Sequence, residues 1–390
     1  MLRSLYSGIS GLRSHQAMLD VTGNNIANVN TTAFKASATQ FQDTLSQITN
    51  AAAAPQIEAG GTNAAQVGLG VQVTGTSTNF AQGSAQATGK ATDLMISGDG
   101  FFVTQLGGET LYTRAGSFDF DASGNLVSPD GAFVQGYMAD VDGNIPTGGA
   151  TGTISLPVDA MAPAVLTTSA SFAGNLPSAD VDTIVTRDLD VFDAAGNRST
   201  IPVNFTSTGD GEWTVTDAAN TSTATLTADG EGGFDVEGTL VTASGVTVDL
   251  GALQSFAGET TVAASDVNGK AAGTLESYTL GSDGILTGVF SNGDQLALGR
   301  IALANFVNPG GLEKAGGSAY RVTANSGGAV LGTAGVGGLG SLLAGSLEMS
   351  NVDLSQEFTN LIVAQRGFQA NARIITTSDE LLQEITSLKR

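Results

Sequence analysis

The sequence predicts a mixed, mainly β fold: all-β modules inserted between N- and C-terminal α-helices that pair as a coiled coil. Two amphipathic end segments and a long β-patterned interior predict it. Near the N-terminus, Leu2, Leu5, Ile9, Leu12, Leu19 and Ile26 follow one heptad series, with Gln16 and Gly23 in the missing slots. Near the C-terminus, Leu347, Leu354, Phe358, Leu361, Phe368, Ala372, Ile375 and Leu382 do the same, interrupted by Asn351, Gln365 and Asp379. Such spacing gathers apolar groups on one stripe of a helix, and a second helix best covers a stripe. Two ends that each need a helical partner most economically find one another. The interior then becomes an insertion on a two-helix stalk.

Taken in order, residues 1–48 read as helical, broken at Gly23-Asn24-Asn25 and around Asn28-Val29-Asn30. A helix of about 45 residues would span roughly 68 Å. The run Ala51 to Ala54, Pro55 and Gly60-Gly61 mark a loop or hinge over 50–70. From Val67 to about Ile154, short β-branched and aromatic runs are cut by Gly and Asp, as strands are. Pro157, Pro163 and Pro177 mark a crossing between modules. Thr- and Val-rich strands fill 181–270 around the only tryptophan, Trp213, and strands resume beyond Gly273 to Tyr320-Arg321-Val322. Ser326 to Ser341 is too rich in glycine for a firm helix or strand and reads as a flexible joint, with Gly335, Gly337 and Gly338 as its hinge. The expected division is 1–70 with 326–390 for the helical ends and linkers, 71–154 with 274–325 for a middle β-domain, and 155–273 for an outer β-domain.

Composition narrows the function. The 390 residues suffice for two to four domains, and glycine, at 53, is about twice its usual share. The absence of cysteine rules out disulfides, thiolate metal sites and thiol nucleophiles. No apolar run is long enough to cross a membrane, and Arg3 is followed by an interrupted pattern instead of a signal-peptide core. The net charge of −22 sits in residues 36–344, because residues 1–35 carry +2 and residues 345–390 carry −2. That field repels nucleic acid and anionic lipid. The near-neutral ends suit dense packing of many copies, although acidic β-loops explain the same asymmetry.

Chemistry is sparse. Asp119, Asp121, Ser123, Gly124 and Asp130 nearly fit a Ca²⁺-binding loop, but strand-like flanks and an Asp in place of the long terminal Glu favour a hairpin. The spacing of Asp121, Gly124 and Asn125 recurs at Asp140, Gly143, Asn144 and at Asp193, Gly196, Asn197, as turn punctuation does. His15 is the only histidine and reads as a polar flank of the first helix, away from any pocket. No catalytic constellation, phosphate loop, cofactor site or metal site is legible, and the reading is not that of an enzyme.

The assembled motifs resemble the bacterial flagellar rod and hook proteins of the axial structure. Leu5-Tyr6-Ser7-Gly8-Ile9-Ser10-Gly11-Leu12 resembles their first helix. Asn24, Asn25, Ala27, Asn28, Asn30, Thr31, Phe34 and Lys35 are similar to their signature segment. The run from Leu94 to Val103, followed by Tyr112 to Phe118, resembles their first β-module. Ser350 to Leu354 and Gln365 to Arg373 resemble their C-terminal helix. Leu189 to Asn197 and Leu275 to Leu312 are similar to hook members in particular. The resemblance covers nearly the whole chain, most loosely over 155–270.

The resemblance implies a structural hook subunit that self-assembles into a curved, flexible tube, joins rod to filament and transmits torque as a universal joint. It further implies contacts with the distal rod, the hook cap and the hook–filament junction proteins. Export would use the flagellar type III apparatus without a cleaved signal, leaving the protein extracellular, in the hook and basal body. The predicted subunit contacts are Leu2, Leu5, Ile9, Leu12, Leu19, Ile26, Leu354, Phe358, Leu361, Phe368, Ile375 and Leu382. Partner nucleic acid and membrane insertion are not expected. A distal-rod subunit with an enlarged outer domain is the alternative within the family. A secreted adhesin would carry a signal peptide and tandem repeats, and an acidic hydrolase would need a second informative group beside its acids.

Overall fold

The computed structural model describes residues 2–55, 60–141, 143–146, 148–157, 161–217, 219 and 222–387, without the side chains of Leu2 and Arg3. Helices α1 (Leu2–Ala27) and α2 (Leu354–Ser387) pair, and the β-structure lies between them in sequence. At 26 and 34 residues they are shorter than the sequence predicts. Their lengths correspond to about 39 Å and 51 Å.

The first departure follows α1. Residues 36–48 are not helical: Ser37–Asp43 pairs antiparallel with Val71–Thr78, and Ser46–Asn50 pairs with Ala65–Gly68. With the bridge Ala53↔Thr62 these nest into one two-stranded ribbon, replacing the loop expected over 50–70. The spacing of Phe41, Leu45 and Ile48 imitates a helix stripe. However, Ala33, held at φ 55°, turns the chain out of helix, and a strand partner waits at Val71 and Val73. Periodicity alone cannot separate the two states in so short a run.

A 13-stranded sheet forms the middle of the molecule. Its central strand, Gln295–Asn305, pairs with Ile285–Phe290, Phe133–Met138, Phe101–Leu106 and Val330–Thr333. Side chains on a strand alternate between faces. Ile301 and Leu303 therefore join Phe102, Phe118, Ile154 and Leu286 in one core. Ala302, Ala304 and Phe306 join Phe101, Tyr112, Tyr137 and Tyr320 in another. With both faces covered, these runs read as continuously apolar.

The segment expected to be a flexible joint belongs to this sheet. Val330–Thr333 pairs with the central strand, Ser341–Ala344 pairs with Leu94–Ser97, and Ala334 is buried in the first core. Gly335, Gly337 and Gly338 form the connecting turn, at φ 77°, 65° and 84°. Composition hid the strand because its apolar residues are few and set among turn glycines. Replacing the three glycines by Ala should therefore destabilise the module by about 3 kcal/mol or more, since each Ala would be forced left-handed at roughly 1–2 kcal/mol. Calorimetry checks this, and unchanged melting together with straighter assemblies would restore the joint.

Residues 169–267 fold as two sheets on one core. Five consecutive antiparallel strands run from Ile184–Phe192 to Phe234–Glu237. The facing sheet orders Leu240–Val241, Thr247–Gln254, Ser169–Asn175 and Ala263–Val267. Phe172, Leu189, Phe205, Trp213, Val215, Leu226 and Leu250 fill the space between. Met161–Ala162 pairs with Gly273–Leu280 of the middle sheet, so residues flanking the sandwich belong to that sheet. Two short crossings, held by the Val165↔Lys270 bridge and by Asn268 Oδ1 accepting from Thr168 N and Ser169 N at 3.0 Å, join the two units.

The recurring Asp turns are local devices. Asp121 Oδ1 accepts from Ser123 N at 2.9 Å and Asn125 N at 2.7 Å, and Oδ2 accepts from Asn125 Nδ2 at 3.0 Å. This turn joins the paired strands Asp119–Phe120 and Leu126–Val127. Asp193 repeats the pattern with Ala195 and Asn197 between two paired strands. Those hydrogen bonds hold both carboxyls below their usual range, the Asn125 and Asn197 side chains contributing most. Asp119 is likewise held low by Lys90, 2.9 Å away. With these oxygens engaged by the protein itself, a Ca²⁺ titration by calorimetry should give no stoichiometric site tighter than about millimolar.

Candidate functional site

Helices α1 and α2 run antiparallel, since Gly8 meets Ile375, Gly11 meets Asn371, His15 meets Gly367, and Asn25 meets Glu357. On α1 the seam is not the leucine stripe, whereas on α2 part of the predicted stripe borders it. On α1 the buried positions are Gly8, Gly11, Ser14, Thr22 and Asn25. On α2 the inward line passes through Leu361, Ala364, Phe368, Asn371, Ile375, Ser378 and Leu382. Small residues on one helix let the backbones approach, and two glycines make the approach obligatory. A Cβ at Gly11 would lie 2.7 Å from Asn371 Oδ1, and one at Gly367 would lie 2.6 Å from the His15 ring. His15 is therefore a seam residue, not a solvent flank, and its Nδ1 is buried without a hydrogen-bond partner.

The predicted contacts divide accordingly. Leu361, Phe368, Ile375 and Leu382 border the seam, half-buried. Leu5, Leu12, Leu19 and Ile26 lie one position round α1 from it and stay half-exposed, as Ile9 stays exposed. Leu354 and Phe358 point away, the latter 51% exposed, and Leu347 sits in the strand Ser346–Glu348 instead of the helix. The side chain of Leu2 lies outside the described residues. A heptad stripe reports amphipathicity, but on α1 the polar and small face is the one that pairs, leaving apolar flanks uncovered. Ile362, Val363, Ile374, Leu381 and Ile385 extend those flanks along α2.

The β-ribbon adds a second uncovered surface. Leu45 is 85% exposed, and Ile48, Val67 and Leu69 are exposed near it. Residues 36–78 contain only Asp43 and Glu58 as charges, against −22 for the whole chain. A two-stranded ribbon is marginal alone. This one leans on α1, where Val71 N–H donates to Ser10 Oγ at 3.3 Å and Phe41 lies 6.1 Å from the His15 ring.

The signature segment ties the helix pair to the middle sheet. Asn28 N–H donates to Asn24 O at 3.2 Å as α1 ends at Ala27, and its Nδ2 donates to the same oxygen at 2.9 Å. Thr31 Oγ1 donates to Asn28 Oδ1 at 3.0 Å, and Asn30 is exposed. Buried Asn25 reaches further: its amide exchanges hydrogen bonds with Ser37 N and O at 3.0 and 2.8 Å and donates to Glu357 Oε1 at 3.1 Å. Phe34 lies under Lys314, whose Nζ is 5.0 Å from the ring. Lys35 is fully buried, donating to Ala81 O at 2.8 Å and pairing with Glu348 at 2.5 Å. Burial pushes its ammonium below the usual lysine range, opposed by the hydrogen bond to Glu348.

In the sequence Gly8, Gly367 and Asn351 fall within the family-like runs, Asn351 also interrupting the stripe, whereas nothing marks Glu348. Asn351 instead accepts from Ala36 N at 2.8 Å and donates to Asn79 O and Ala81 O at 2.8 and 3.0 Å. A small-residue spacing at Gly8, Gly11, Ser14 was the only local sign of the seam. A groove of about 710 Å³ lies between the signature segment and the sheet, lined by Asn24, Asn28, Phe34, Asp130, Lys314 and Tyr320. Among the described residues no group of three or more metal-ligating side chains converges, and no helix is long and apolar enough to cross a membrane.

Comparison with known proteins gives matches at three places. Residues 5–35 match the "Flagella basal body rod protein" family, residues 95–165 the "Flagellar hook protein FlgE/F/G D1 domain", and residues 343–388 the "Flagellar basal body rod FlgEFG protein C-terminal". The chain is 40% identical to the "Flagellar hook protein FlgE" of Treponema pallidum and 39% identical to that of Borreliella burgdorferi, in each case over 100% of both chains. It is also 34% identical, over 100% of both chains, to the "Flagellar basal-body rod protein FlgG" of Bacillus subtilis.

Proposed function

The chain belongs to the flagellar hook protein family, and on that premise we propose that it polymerises with copies of itself into the hook tube between rod and filament. The observation that carries this reading is the apolar surface left over after the helices have paired. Phe358, Ile362, Ile374, Leu381 and Ile385 on α2, with Leu45, Ile48 and Val67 on the ribbon, are exposed. Large apolar side chains left exposed in such numbers on two elements mark interaction surfaces. Each element carries a net charge of only −2, so copies crowding there meet modest repulsion.

In this reading Leu5, Ile9, Leu12, Leu19, Ile26, Leu354 and Phe358 contact neighbouring subunits, and Leu361, Phe368, Ile375 and Leu382 position them. The helix pair forms the inner wall, the 13-stranded sheet the middle layer and the sandwich of 169–267 the outer one. The role is structural and not catalytic. Rod, cap and junction proteins abut the tube ends, and export proceeds through the flagellar type III apparatus. The full-length likeness to a basal-body rod protein favours a second reading, a distal-rod subunit with an enlarged outer domain. Antibody labelling of purified appendages under negative stain separates the two. Label on the curved segment supports the hook, and label confined to the envelope-spanning rod supports the alternative.

A further inference from the structure

Three charged side chains from remote parts of the chain meet in one buried cluster. Lys35, Glu348 and Arg114 are 0%, 1% and 3% exposed. Glu348 Oε1 accepts from Lys35 Nζ at 2.5 Å and from Gly83 N at 2.8 Å, while Oε2 lies 3.6 Å from Arg114 Nη1. Arg114 donates from Nη2 to Gly98 O at 2.9 Å and lies over the Phe101 ring. Asp99, 4.0 Å from Arg114 and highly exposed, is the only other acid paired with the cluster among the described residues. One buried carboxylate thus sits between two buried cations.

We propose that Glu348 is the pin of a two-ended latch, through which the N-terminal and C-terminal segments dock on the β-sheet together or not at all. The strap 33–36 makes four of its hydrogen bonds with the C-terminal segment, including the one between Lys35 and Glu348. Ala33 N–H donates to Glu348 O at 2.8 Å, and Phe34 O accepts from Asn351 N at 3.3 Å. Ala36 N–H donates to Asn351 Oδ1 at 2.8 Å. Outside that segment, Lys35 Nζ has Ala81 O, Ala36 O accepts from Asn79 N–H at 2.8 Å and Lys35 O from Lys314 Nζ at 3.5 Å, but none of these supplies a negative charge. With the C-terminal segment absent, Lys35 and Arg114 become like charges whose only remaining acid is the exposed Asp99, 4.0 Å from Arg114, a state a low-dielectric interior penalises heavily. The strap must then leave, and α1 loses its anchorage at Asn25. Conversely, without the strap Glu348 keeps Gly83 N–H and Arg114 but loses its shortest partner, so strand Ser346–Glu348 loosens against Ala85–Ala87. Linkage requires the coupling to run both ways. This inference concerns folding of the single chain and does not depend on the assembly reading.

Hydrogen exchange of the full-length chain, read by mass spectrometry, tests it. Glu348→Gln keeps an oxygen for Gly83 N–H, removes the charge and replaces the oxygen facing Arg114 by an NH2 donor. Amides of 24–37 are expected to lose protection by about tenfold or more, the equivalent of one charge-assisted hydrogen bond, while 184–226 keep theirs. Lys35→Met should be milder at 24–37 and should raise exchange across 346–348. The double variant Lys35→Met/Glu348→Gln should regain protection at 24–37 relative to Glu348→Gln, because one orphaned cation is gone. Should Glu348→Gln loosen 94–106 as well, the double variant still decides. Unchanged protection at 24–37 in Glu348→Gln, or no regain in the double variant, overturns the latch.

Discussion

Phe358→Asp is expected to leave the isolated chain as stable as the parent and to abolish its assembly. The side chain is 51% exposed and points away from α1, so within one chain the new carboxylate stays hydrated. Its effect on monomer melting should stay within about 0.5 kcal/mol. Between copies the position changes character. A carboxylate buried against an apolar neighbour without a partner costs several kcal/mol. A helical polymer repeats that cost at every subunit, so elongation fails instead of slowing. Leu361→Asp and Phe368→Asp provide the contrast, because these side chains border the intramolecular seam. They should lose helix pairing in the monomer as well as assembly. Electron microscopy of assembly reactions, with circular dichroism of the soluble chain, distinguishes the cases. Polymers of normal length from Phe358→Asp would remove the outward face of α2 from the subunit contact.

Phe205→Ala should unfold the sandwich of residues 169–267 while the helix pair and the 13-stranded sheet stay folded. Phe205 is fully buried and packs edge-on to Phe172, with ring centroids 5.6 Å apart. Truncating such a side chain leaves a cavity and costs about 3–5 kcal/mol. That is a large share of the stability of a domain of this size. Trp213, the only tryptophan, lies in the same core and reports the event by fluorescence without further labelling. Calorimetry should show one transition moving down by many degrees and the others staying in place. The crossings at 163–168 and 268–272 are hydrogen-bonded mostly to each other and to the sandwich. They reach the middle sheet chiefly through Lys270–Asp294 and Asn292–Ala271 and share no core with it, so no strong cooperative link compels the modules to melt together. A single transition that shifts as a whole would mean that the sandwich and sheet form one cooperative unit.

The mainly β class, the helical ends, the signature segment and the Asp turns are all set by interactions short in sequence. A turn such as Asp121 to Asn125 completes its hydrogen bonds within five residues, and an amphipathic stripe is a property of one helix. These features were therefore determined by the sequence itself. Which stripe pairs was not, because pairing depends on how close two backbones can come. Gly8 and Gly11 permit an approach that Leu5 and Leu12 would prevent, and periodicity gives no weight to glycine. The pairing of Ser37–Asp43 with Val71–Thr78 and the strand Val330–Thr333 were decided by partners 20 residues or more away that supply their hydrogen bonds. Glu348 shows the limit most clearly. In sequence it is one acid among 37 acidic residues, 313 positions from Lys35. Only the folding of both chain ends onto the same sheet removes water from around it, and burial is what turns an ordinary charge into a structural one.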